Sequence, residues 1–197
     1  MKKYELTEET TNIFGKTLHR IRATRDFSNV HAGDLGGFIE NELNLSHDRD
    51  TWVYGNAWVY GEARVYGNAW AYGEARVSGN ALVSGDARVG GKALVGGDAW
   101  VGGNALVSGN ALVYGNALVK GTRDIYWIPC IGSRDGTTTF FRNANNGICV
   151  SCGCFYGTID EFAAAVTKTH GDNEHAQAYR HAIEIAKLRI KLTDAES

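Results

Sequence analysis

The chain has 197 residues, a formal net charge of -2 and 44% hydrophobic residues, which fits one or two soluble domains and excludes a strongly basic binder of nucleic acid or membrane surfaces. It carries no apolar run of signal-peptide or membrane-spanning length, so a cytoplasmic protein with reduced thiols is expected. Twenty-five glycines against a single proline do not make a disordered composition, and they assign the glycines a structural role.

Residues 1–51 read as an N-terminal β cap with a first irregular coil. The stretch "NIFGKTLHRIRA" predicts a hairpin around Gly15 and Lys16. In "GDLGGFIENELNLS" Ile39 and Leu45 are already six apart, so coiling starts there, and a register slip follows because Val53 comes eight residues after Leu45. Arg20 and Arg22 share one strand face with Arg25 close behind, an arrangement that is either a solvated face or an anion site.

From 52 to 121 the pattern x-V-x-G-x-A recurs about a dozen times without insertion, the signature of a solenoid. Val53, Gly55 and Ala57 alternate with Trp52, Tyr54 and Asn56, so the underlying period is two and the chain is extended, one face in and one face out. Strands are rarely longer than about ten residues, so the chain must bend regularly. Glycine marks each bend as an inward residue, with the polar residue after it at the corner in left-handed backbone angles. Three sides close a narrow prism, a parallel β-helix of about four coils.

Eighteen residues per coil place Trp52, Trp70, Arg88 and Leu106 in one outward column. Trp58, Arg76, Leu94 and Leu112 form a second, and Arg64, Leu82, Trp100 and Leu118 a third. Trp58 then lies one rung from Arg76, and Trp70 one rung from Arg88, within reach of guanidinium-on-indole stacking. Such an aromatic belt reads as subunit packing in a homotrimer, with ligand stacking or simple strand preference as alternatives. Later coils carry Ser78, Ser84, Gly90, Gly96 and Gly102 in place of the belt's tyrosines, a thinning that would leave a groove between subunits.

Residues 122–197 change composition and predict a small α+β domain over the last coil: three short strands, the last two joined through Asn145-Asn146-Gly147, then two helices. Thr158 and Glu161 form a capping box for the first helix, with Ile159, Phe162 and Val166 buried and Gly171 ending it. The second runs from about 173 to 192 with Tyr179, Ile183, Ala186 and Ile190 inward. The cluster of Cys149, Cys152 and Cys154, read as one strand, places Cys152 and Cys154 on a face opposite Cys149. Buried thiols are the main reading, with a metal site or a reactive Cys154 beside His170 as alternatives. The turn holding Gly132, Ser133, Arg134 and Gly136 is either a plain turn or a phosphate-binding loop.

The hexads resemble the hexapeptide repeat of left-handed β-helix proteins, which implies a left-handed coil and trimeric packing. Together with "MKKYELTEETTNIFGKTLHRIRATRDF", "GDLGGFIE", "GCFYGTIDEF" and "THGD", they resemble bacteriophage and prophage proteins built from such repeats, a group often labelled acetyltransferase-like by repeat similarity. The fold class expected is therefore mainly β, a left-handed parallel β-helix with an N-terminal β cap and a C-terminal α+β domain. The function expected is non-enzymatic binding by a homotrimer in a host bacterial cytoplasm, counteracting host defence by sequestering a nucleotide-like signal or occluding a defence protein. The ligand-binding candidates are Arg20, Arg22, Arg64, Arg76, Arg134, Trp52, Trp58 and Trp70. No cofactor, metal, nucleic acid or membrane partner is expected. A hexapeptide-repeat acyltransferase is the enzyme alternative, although residues 52–121 hold no histidine to act as its base. A structural virion or scaffold protein is the third.

Overall fold

The computed structural model describes residues 2–192; Met1 and residues 193–197, the end of the expected C-terminal domain, lie outside the described residues. Strands β1 (Tyr4–Ile13) and β2 (Lys16–Ala23) form an antiparallel hairpin, with Phe14 and Gly15 turning through positive φ. Strand β3 (Leu35–Ile39) pairs antiparallel with β2 on one edge and parallel with the solenoid strand Trp58–Val59 on the other. The cap thus continues one face of the solenoid as a single seven-stranded sheet.

Twelve two-residue strands follow, β4 (Trp52–Val53) to β15 (Leu118–Val119), stacked in parallel on three faces. The three outward columns pair as the eighteen-residue repeat dictates, for example Trp58 with Arg76 and Arg88 with Leu106. The chain is a parallel β-solenoid of about five coils, one more than the hexads alone predict. The extra coil comes from the cap: Phe38 pairs with Trp58, and Leu45 bridges to Val65. The two-residue slip before Val53 is taken up in the segment 46–51, so the coil absorbs it without losing register.

The interior differs from strict alternation. The valines and alanines from Val53 to Val119 are buried, whereas most corner glycines, such as Gly55 and Gly97, are exposed and Gly61, Gly67 and Gly115 are half-buried. From Gly55 to Gly115 each corner glycine has φ between +55° and +74°, and no non-glycine residue of the repeat has positive φ. The left-handed angle therefore falls on the glycine and not on the polar residue after it, because only glycine takes that conformation without a Cβ penalty. Each corner also stacks on the next: a Cβ on Gly97 would lie 2.8 Å from the backbone nitrogen of Gly115.

The thin waist is filled from within. Gly90, Gly96 and Gly102 are buried, and a Cβ on each would collide with the ring of Tyr72, Tyr114 or Trp100 respectively. Trp100 also donates from Nε1 to the Ser84 hydroxyl at 3.0 Å. At these positions the small residues admit the chain's own aromatic rings.

Solenoid ends expose unpaired carbonyls, and side chains close them here. Buried Asn44 donates from Nδ2 to the carbonyls of Gly61 (2.9 Å) and Ala63 (2.8 Å), while its Oδ1 accepts from the amides of Glu40 and Asn41. Buried Thr51 donates to the Ala69 carbonyl at 2.8 Å. Lys3 is likewise buried, with Nζ donating to the Thr51 carbonyl at 2.6 Å.

At the other end, β16 (Ile125–Ile131), β17 (Gly136–Arg142), β18 (Ile148–Cys152) and β19 (Phe155–Thr158) make an antiparallel sheet. Its Ile125, Phe141 and Cys149 join the solenoid core, and Phe140, Ile148 and Val150 face a second core under the helices. Four strands replace the expected three because Gly153, at φ +58°, turns the chain after Cys152. Cys154 therefore sits in a turn and is exposed, not on the face of Cys152. All four thiols are free; Cys149 is buried, Cys152 half-buried, and Cys130 and Cys154 are exposed.

Helices α1 (Ile159–His170) and α2 (Glu174–Arg189) pack on the outer face of this sheet. Thr158 and Glu161 close the capping box, and Tyr179, Ile183 and Ala186 of α2 are buried. The second helix ends at Arg189 with Ile190 as its C-cap, short of the expected Leu192. Replacing Thr158 with alanine removes the side-chain acceptor for the Glu161 amide and is expected to cost about 1 kcal/mol, read as a lower urea midpoint at unchanged slope. No helix among the described residues is long and apolar enough to cross a membrane.

Candidate functional site

Three of the expected ligand residues meet where the cap hairpin joins the first coils. The sheet register sets Phe38, Trp58 and Arg76 side by side on adjacent strands, so their outward side chains form a short ladder. The Arg76 guanidinium lies 4.6 Å from the centre of the Trp58 ring, and that of Arg20 lies 4.4 Å from the centre of Phe38. With Thr11, Asn56 and Glu74 these residues line a groove of about 310 Å³.

The two arginines are held differently. Arg20 is pinned: Nε lies 2.8 Å from a Glu9 carboxylate oxygen, and one terminal nitrogen donates to the Gly36 carbonyl at 2.8 Å. Arg76 is exposed and extends along the indole face, where stacking leaves its N–H edges free to turn toward an anion. The groove wall is mixed in charge, since Glu74 lines it too and sits 3.7 Å from the Lys92 ammonium on the next coil.

The remaining candidates are dispersed. Trp52 is 1% exposed, packed among Tyr4, Phe27 and Tyr54 with ring centres 6.1, 5.3 and 6.5 Å away. It is a core residue under the cap, and the expectation that it touches ligand is corrected: the hairpin covers the first rung of its column. Arg22 pairs with Glu5 across the hairpin at 2.8 Å. Trp70 carries Arg88 at 4.8 Å and donates to the Asp50 carbonyl. Arg64 borders a separate recess with Leu43, Tyr66 and Leu82, and Arg134 borders a cleft of the C-terminal domain. The strand column thus unites Trp58 and Arg76 with Arg20, and separates the other five.

Sequence reading passed over Phe38, because the slip between Leu45 and Val53 hides its place in the Trp58 column. Arg25, expected beside Arg20 and Arg22, instead lines a recess at the far edge of the cap with Lys2, His47, Asp48 and Arg49. There His47 stacks on Tyr4 with ring centres 4.2 Å apart, and burial holds its imidazole below the usual pKa against the opposing pull of Glu42. Tyr4 donates to the Leu45 carbonyl at 2.7 Å, and burial, then Glu42, raises its phenol. Among the described residues no group of three or more His, Cys, Asp or Glu side chains is placed to hold a metal ion.

Comparison with known proteins bears on the repeat. Residues 75–91 match a family model described as the YdcK beta solenoid repeat. No curated protein matches the chain. The match falls on the coils that carry Arg76 and Arg88, and with the stacked strands it identifies a β-solenoid repeat protein.

Proposed function

We propose that this β-solenoid is a non-enzymatic binding protein that holds a nucleotide-like ligand in the groove of Arg20, Trp58 and Arg76, with three copies packed along their solenoids. The observation that carries the reading is the Arg76 guanidinium lying 4.6 Å over Trp58 and sharing a groove with Arg20. An indole with a stacked guanidinium offers a flat surface for a base, and charged N–H donors suit a phosphate. Trimeric packing is supported by the apolar side chains left on the flanks, Tyr66, Trp100 and Leu106, which are 37%, 40% and 39% exposed. The biological use assigned to this binding follows the phage-like resemblance: removal of a nucleotide-like signal from a host defence, in the bacterial cytoplasm.

Equilibrium dialysis of adenosine monophosphate against the full chain tests the groove. Arg76→Gln is expected to weaken binding roughly tenfold by removing a charge-assisted contact, and Arg88→Gln, on the neighbouring face, to leave it unchanged. Equal affinity in the Arg76→Gln and parent proteins, or no binding to either, would remove the groove from the account.

A further inference from the structure

The C-terminal domain holds a cleft of about 440 Å³ that the solenoid does not share. It opens between the turn at 132–135, the turn at Gly153 and Cys154, and the side of α1 that carries Phe162, Ala165, Val166 and Thr169. Ile131, Phe155, Phe162, Val166 and Tyr179 form its walls. The rings are mutually braced, with Phe162 centred 5.1 Å from a tilted Phe155 and 5.3 Å from an edge-on Tyr179. Its volume lies within the range of about 300 to 1,000 Å³ typical of small-molecule sites, and an apolar lining with few polar groups is their usual character.

The polar groups are few and come from two elements. Ser133 and Arg134 come from the first turn, and Thr169 and His170 from the end of α1. Among the described residues no carboxylate lies within ion-pair distance of Arg134, so one cationic fork is offered to an apolar cavity. The turn is shaped for this approach. Gly132 has φ +77°, and a Cβ there would fall 1.9 Å from the Tyr179 hydroxyl, so only glycine lets the arginine-bearing turn close against that ring. Inside, the Cys152 thiol accepts from the Thr138 hydroxyl at 3.1 Å and lies 3.6 Å from the Tyr179 oxygen. Burial, then this thiol, pushes the Tyr179 phenol up to about 12.

We propose that the cleft is a binding site for a flat, mostly apolar monocarboxylate, its ring system lying among Phe155, Phe162 and Val166 and its carboxylate paired with Arg134. A single guanidinium at the rim matches one carboxylate, which it can grip through two parallel N–H bonds. A polyphosphate would need more cations than this rim supplies, and a neutral hydrocarbon would leave the arginine unused. The site is independent of the Arg76 groove and stands or falls apart from it.

Calorimetric titration of 2-naphthoate into the full chain tests the proposal. Binding is expected, weakened roughly tenfold by Arg134→Gln and unchanged by Arg76→Gln. Ala165→Trp, which places an indole in the cleft from the half-exposed side of α1, is expected to abolish it, with an unchanged melting profile as the check on folding. Because Cys152 lines the cleft, 2-naphthoate should also slow its carbamidomethylation by iodoacetamide while leaving exposed Cys130 unaffected. Absence of binding, equal affinity in Arg134→Gln, equal affinity for the neutral 2-naphthamide, or no protection of Cys152 would each overturn the assignment. Arg134→Gln sits in an exposed turn, so the test survives if Ala165→Trp fails to fold.

Discussion

Trp52→Ala is expected to destabilise the protein by about 3–5 kcal/mol, the range for removing a large aromatic from a packed core. Trp52 is the first residue of the repeat and looks in sequence like every other outward residue. In the folded chain it is 1% exposed, because the cap hairpin and the 24–34 segment bring Tyr4 and Phe27 over it. Its loss would leave a cavity between cap and first coil that the rigid ladder cannot close by relaxing. Chemical denaturation followed by circular dichroism reads the effect, and Trp70→Ala, one rung along the same column and half-exposed, is the control. A much smaller penalty at Trp52 than at Trp70 would mean that the cap does not seat on the coil as described.

The second large effect concerns the corners. Gly97→Ala is expected to cost about 2–4 kcal/mol, combining a left-handed backbone angle with a clash against the next coil. The angle alone accounts for about 1–2 kcal/mol. At Gly97 the new Cβ would meet the Gly115 nitrogen at 2.8 Å, whereas at Gly55 its nearest neighbour is the Gly73 carbonyl at an ordinary 3.6 Å. Both glycines have φ near +60°, at +65° and +60°. Gly55→Ala should therefore cost only the backbone share. Melting temperatures of the two variants measured side by side separate the contributions: a wide gap supports tight corner stacking in the later coils, and equal losses would assign the whole effect to backbone angle.

The fold was largely legible because a short repeat over-determines it. Every valine and alanine of the hexads lands in the core, and each outward column pairs as an eighteen-residue coil requires. The turn geometry was less legible. A period of two treats glycine as another inward position, but a corner of only two residues must reverse the side-chain alternation, and the residue that can do so at positive φ swings out to solvent. The aromatic filling of the waist was hidden for a related reason: sequence shows Gly90 and Tyr72 as separate losses and gains, while coil stacking places the ring of one over the missing side chain of the other.

The candidate site was legible only in part. Trp58 and Arg76 follow from the repeat spacing, since any residue and its eighteenth neighbour share a column. Phe38 joins them through parallel pairing across a slipped register and Arg20 through antiparallel pairing with Phe38, and no local pattern encodes that. The cleft of the C-terminal domain was visible only as isolated pieces, Arg134 in one turn and Cys152, Phe162 and Tyr179 in different elements. Tertiary packing alone brings them together, as is usual for sites built from several strands and helices.

Native mass spectrometry of the full chain, purified gently from bacterial cells with an active nucleotide-signalling defence, tests the central functional claim most directly. A trimer that retains a small molecule of nucleotide mass, with the small molecule absent from Arg76→Gln while the trimer persists, is the expected result. A ligand-free monomer from the parent protein would contradict it.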